Sequence, residues 1–146
     1  AGNAAFGGKR FEEAAVVLRH LDALASTGDL RGAEVLFKQA AALVRGPRRQ
    51  TMLYNTMLKA CAKAGDAERA EFWRSEMARV GVRPNHKTFG KLIGAAAAAG
   101  SVEGAEAFLR ATIAAAEPAE QGAGADARPR AAVLLVGLSK YNAVIG

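Results

Sequence analysis

Apolar residues recur at helical spacing along most of the chain. Within residues 51–85, Tyr54, Met57, Leu58 and Cys61 fall at i, i+3, i+4 and i+7, one face of a helix. After Gly65, the residues Ala70, Trp73 and Met77 mark a second helical face. Gly65 suits the left-handed residue that ends a helix, and Asp66 suits the N-cap of the next one. The two helices are therefore expected to form a hairpin, with Pro84 stopping the pair. Ala14, Val17, Leu18, Leu21 and Ala25 precede Gly28 in the same way, and Ala33, Leu36, Phe37, Ala40 and Val44 follow it. Phe89, Leu92, Ile93 and Ala96 precede Gly100, and Ala105, Phe108, Leu109 and Ile113 follow.

The three hairpins are copies of one unit. "GDLRGAE" at Gly28, "GDAERAE" at Gly65 and "GSVEGAE" at Gly100 are spaced 37 and 35 residues apart. Ala33, Ala70 and Ala105 occupy the same offset in each, where two helices of a hairpin must cross closely. Gly28, Gly65 and Gly100 are thus expected in tight turns between antiparallel helices. One such pair cannot bury its apolar face alone, whereas a stack of them can, so the pattern predicts an all-α solenoid.

The period of 35, the opening "YNTML", the middle "KAG" and the ending "GVRPN" resemble the pentatricopeptide repeat family. The resemblance is densest over residues 51–85 and implies a right-handed α-solenoid. The expected division is a lead-in over 1–13, a divergent first repeat over 14–50, a well-matched second over 51–85 and a third over 86–116. "EPAEQGAGADARPR" at 117–130 reads as a flexible insertion. Residues 131–146 read as a terminal helix opening a fourth repeat, because Tyr141 and Asn142 align with Tyr54 and Asn55. That apolar segment is expected to pack on the third hairpin or on a neighbouring protein. The tetratricopeptide repeat, at 34 residues, lacks its Trp, Leu-Gly and Tyr spacing here.

Composition narrows the function. Alanine makes up about a quarter of the chain and aromatics 6%, which favours close-packed helices. No apolar run reaches the roughly 18 residues of a membrane span. The single cysteine, Cys61, cannot form an internal disulfide and reads as a small core residue. His20 and His86 have no partner at a metal-binding spacing, and no acid, base and nucleophile constellation is visible, so no enzyme, metal, cofactor or small-molecule substrate is expected. The net charge of +6 is uneven: residues 1–50 hold 8 basic and 5 acidic side chains, 51–100 hold 8 and 4, and 101–146 hold 4 and 5. The basic excess suits an acidic partner such as nucleic acid, or a solvated surface. "RGPRR" at 45–49 reads as a basic loop between units, and Trp73 as a core residue by its spacing.

The resemblance implies single-stranded RNA binding, one base per repeat, read by the residue after the opening aromatic and by the last residue of the unit. In the second unit these are Asn55 and Asn85, a pair that in the family favours pyrimidines, cytosine especially. Met52 corresponds to the residue wedged beside the base, Lys63 to the lysine that approaches a phosphate, and Lys59 extends the basic stripe by one turn. The first and third units carry Leu18 and Gly90 at the reading position, without a hydrogen-bonding side chain. Two functions follow. One is an RNA-binding module of a mitochondrion or plastid acting mainly through its second unit. The other is a protein-docking scaffold subunit of a larger organellar assembly, ribosomal or photosynthetic, with a degenerate code.

Overall fold

The computed structural model describes the backbone of residues 2–116 and the side chains of residues 11–114. Among the described residues there are six helices and no strand: α1 (Gly2–Thr27), α2 (Leu30–Leu43), α3 (Pro47–Ala64), α4 (Ala67–Arg79), α5 (His86–Ala98) and α6 (Val102–Ala116). The expected insertion at 117–130 and the terminal helix at 131–146 lie outside the described residues.

Three turns repeat one geometry. Gly28, Gly65 and Gly100 have φ of 77°, 69° and 72°, the left-handed region where a side chain would be strained. The residue after each glycine turns its N–H back onto the ending helix: Asp29 to the Leu24 carbonyl at 2.9 Å, Asp66 to Cys61 at 3.0 Å, Ser101 to Ala96 at 2.8 Å. The side chain of that residue then caps the next helix, accepting from the N–H of Gly32 at 2.9 Å, Arg69 at 2.9 Å and Gly104 at 3.1 Å. A dipeptide thus ends one helix and starts another. Ala33, Ala70 and Ala105 are fully buried beyond the turns, as close helix crossing requires.

The first helices of the hairpins, α1, α3 and α5, lie side by side, and each second helix packs on the helix before it. Helix α3 is central and touches α1, α2, α4 and α5. Its burial therefore extends past the stripe read from the sequence, to Leu53 and Ala60 as well as Tyr54, Met57, Leu58 and Cys61. Phe37 of α2, Tyr54 of α3 and Trp73 of α4 form an edge-on aromatic cluster, with centroids 4.5 Å apart for Phe37 and Trp73 and 5.2 Å for Phe37 and Tyr54. A smaller cluster of Ile93, Ala96 and Ala105, with Phe108 and Leu109 against it, fills the third hairpin.

Two local features depart from the expected layout. Residues 2–13 already lie in α1, since no proline interrupts the run. The basic segment at 45–49 is only partly a loop: Gly46 is the N-cap with φ 93°, and Pro47 opens α3. Proline needs no N–H in the first turn and holds the helical φ, so the helix starts there. Arg48 and Arg49 are consequently helical, and the Arg49 guanidinium lies 4.6 Å above the Phe11 ring.

Candidate nucleic-acid interface

The two amides implicated by the resemblance meet. Asn85 is the N-cap of α5, and its Oδ1 accepts from the Thr88 N–H at 3.2 Å while the Asn85 N–H donates to Thr88 Oγ1 at 2.9 Å. This reciprocal capping box fixes the start of α5. Across the seam, Asn55 Nδ2 of α3 donates to Asn85 Oδ1 at 3.1 Å. The fully buried Thr88 hydroxyl completes the triangle, 2.6 Å from Asn55 Oδ1. Asn55 is only 5% exposed, whereas Asn85 faces solvent. A side-chain amide offers two N–H donors and two lone pairs, so Asn55 keeps one of each beyond these bonds.

Thr88 is the residue the sequence reading missed. Its only sequence signal was its place three residues after Asn85, the spacing of a capping box. Nothing local indicates that its hydroxyl would also reach Asn55, 33 positions away.

Met52, Asn55, Lys59 and Lys63 stand on one stripe of α3, each three or four residues from the next. Met52 is 49% exposed, an apolar side chain that the core does not need. Lys59 pairs with Asp22 of α1 at 2.9 Å, a contact the sequence pattern did not reveal. Lys63 is exposed and forms no ion pair among the described residues. Lys59 and Lys63 border a groove of about 330 Å³ whose opposite side is Lys87 and Lys91 of α5, with Gly90 and Gly94 between them. At the reading position of the first unit, Leu18 packs against the core.

The other candidate groups are structural. Burial pushes the Cys61 thiol up to about 12, helped by the negative charges of Asp66 and Glu34, so it stays protonated. Trp73 is buried and donates Nε1–H to Glu34 Oε1 at 3.1 Å. His20 and His86 are exposed, and among the described residues no group of three or more His, Cys, Asp or Glu could hold a metal. No described helix is long and apolar enough to cross a membrane.

Comparison with known proteins agrees with this architecture. Residues 49–98, which span α3, α4 and α5, match the PPR repeat family. That segment is similar to pentatricopeptide repeats, and the all-α helical-repeat fold of the described residues is consistent with that family. A pentatricopeptide repeat-containing protein of Arabidopsis thaliana, named as mitochondrial, is 35% identical over 69 residues. The aligned part is 47% of this chain and 10% of that protein, so the chain spans a small fraction of its relative's length.

Proposed function

We propose that the chain is a non-catalytic helical-repeat module that binds single-stranded RNA, mainly through its second unit, in a mitochondrion. The carrying observation is the joining of Asn55 and Asn85 by one hydrogen bond on the first-helix side, flanked by exposed Met52 and by Lys63. Asn85 supplies the accessible amide and Asn55 holds it in place, so the pair presents a fixed edge to one base. Met52 lies one turn before Asn55, where an apolar side chain can lean on a base face. Lys63 supplies charge for the backbone. The organelle is proposed from the name of the Arabidopsis relative, and nothing comparable favours a plastid.

Binding of single-stranded RNA oligonucleotides of different base composition tests this. Pyrimidine tracts, cytosine above all, are expected to bind most tightly, and Asn55→Ala should reduce that preference by about tenfold, the size of one lost base contact. Equal affinity for all sequences before and after the substitution would overturn base reading by this pair.

A second reading rests on a separate observation. Asn55 is nearly inaccessible, and the equivalent positions in the flanking units are Leu18 and Gly90, so adjacent bases have no readers. A protein-docking scaffold of a larger organellar assembly keeps the fold without the code. Absence of RNA binding at low salt, where electrostatic attraction is strongest, favours the scaffold.

A further inference from the structure

Positions that close the seams between hairpins stand open on the first one. Thr88, Leu92 and Ala95 of α5 turn towards the second hairpin and are fully buried. Leu53, Met57 and Ala60 hold the same offsets from the turn glycine of the second unit and are at most 1% exposed. Their counterparts in α1 are Val16, His20 and Ala23, and all three are exposed. Beside them on α2, Val35 is 78% exposed.

The open face is a groove between α1 and α2. Two cavities lie end to end along it, one of about 630 Å³ bordered by Val16 and Leu43 and one of about 580 Å³ bordered by Leu24 and Val35. Glu12 and Leu24 mark its ends on α1, so at the rise of an α-helix it is about 18 Å long, roughly three turns. Those ends differ in charge. Glu12 and Glu13 line the first cavity, and Arg31 and His20 line the second. Neither glutamate nor Arg31 is in an ion pair among the described residues.

Helices cover the equivalent positions of the second and third units, so a helix suits the groove. A preceding hairpin of the same kind is disfavoured. Where the first and second hairpins meet, Arg69 and Trp73 of α4 donate to Glu34 of α2. The corresponding residues of α2 are Gly32 and Leu36, and neither has a donor side chain. His20 stands where the other units bury Met57 and Leu92. Helix α1 also runs on for 26 residues, against 18 in α3 and 13 in α5, past the level at which those helices begin. The chain therefore makes no turn at that level to fold a preceding helix back onto the groove.

We propose that the α1–α2 groove docks an amphipathic helix of a protein partner, with one apolar face, acidic side chains in its first turn and basic side chains in its last. Its acidic end meets Arg31 and its basic end meets Glu12 and Glu13, so it runs antiparallel to α1. That charge order also suits the partner helix's own dipole. Its apolar face covers Val16 and Val35, and the two glutamates repel nucleic acid from the same groove. This face is distinct from the side of Asn55 and Asn85, and the proposal does not depend on RNA binding there.

The test uses the full chain and a stapled peptide of about 16 residues, because an unconstrained helix of that length is marginal in water. It carries leucines along one face, glutamates in the first turn and lysines in the last, with the staple on the opposite face. A second peptide of the same composition has the glutamates and lysines exchanged. Fluorescence anisotropy at low salt is expected to show the first binding about tenfold more tightly than the second. The variant Glu12→Lys/Glu13→Lys/Arg31→Glu should invert that preference, and Val35→Asp should weaken the first peptide about tenfold by placing a charge under its apolar face. Both variants change exposed side chains, and circular dichroism verifies that they stay folded. Equal affinity for the two peptides, a preference that survives the charge reversal, or no binding of either overturns the proposal. Self-association of the unaltered chain that Val35→Asp abolishes, without peptide binding, also overturns it and gives the groove to a second copy.

Discussion

The seam between the first and second hairpins and the seam between the second and third are closed by different chemistry. At the first, Phe37, Tyr54 and Trp73 pack edge to face, and Glu34 Oε1 accepts from Trp73 Nε1 at 3.1 Å and from Arg69 Nε at 2.8 Å. At the second, α5 brings Phe89, Leu92 and Ala95 together with the amide triangle of Asn55, Asn85 and Thr88. Aromatic side chains bury large areas and their edge-on pairs add to the gain, whereas the second seam adds hydrogen bonds to its apolar contacts. Both seams bury apolar side chains; the first adds ring contacts and the second adds alignment by hydrogen bonds. A groove bordered by Lys59, Lys63, Lys87 and Lys91 opens along the second seam.

The largest expected effect comes from breaking the first seam. Trp73→Ala removes the centre of the aromatic cluster and one donor to Glu34, at an expected cost of about 3–5 kcal/mol, the usual range for large aromatic truncation in a core. Chemical denaturation measures it, and a loss below 1 kcal/mol would mean the seam is not held by its rings.

A smaller effect is expected at the second seam. Thr88→Val keeps the shape but removes the hydroxyl that Asn55 Oδ1 and the Asn85 N–H both use, leaving them without that partner. The expected cost is about 1–3 kcal/mol. RNA affinity should fall further than this loss of stability explains, because the Asn55 and Asn85 pair loses its brace. A variant equally stable and equally selective would show that the triangle is dispensable.

The smallest effect is expected away from both seams. On the outer surface of α4, the hydrogen bond from Arg74 holds the Glu71 carboxyl below its ordinary value of 4.5. A depressed folded-state value means that the pair stabilises the fold above the ordinary glutamate range and that this contribution disappears as pH falls through the folded value. Because both side chains are over a third exposed, the contribution is small. Glu71→Gln should flatten the acid limb of the stability curve slightly and leave stability at pH 7 within about 0.5 kcal/mol. A shift as large as that of Thr88→Val would erase the contrast between seam and surface.

The helices were legible because their causes are local. Apolar spacing, the glycines at 28, 65 and 100 and the Asp or Ser after each are all contained within one turn of chain, and the structure uses them as read. Helix α3 begins at Pro47, inside the segment read as a basic loop between units, because proline is favoured in the first turn of a helix. The site was legible only in part. Asn55 and Asn85 were singled out from the repeat pattern, and one hydrogen bond joins them. The Thr88 bridge and the pairing of Lys59 with Asp22 join residues 33 and 37 positions apart, so they depend on how the hairpins stack. The facing lysine rows were hidden for the same reason: each row is visible on its helix, but only packing of α5 on α3 sets them across one groove.

Cys61 offers a clock for that stacking. It sits at the centre of α3 with no exposed surface, and its thiol is held protonated far above neutral pH. Thiol reagents attack the thiolate, which an unfolded cysteine supplies readily near its ordinary value of about 8.5. Reaction at the single thiol of the chain therefore counts moments when α3 is uncovered. At mildly alkaline pH, labelling becomes a stopwatch for the parting of the hairpins, and RNA lying across α3 and α5 would slow it.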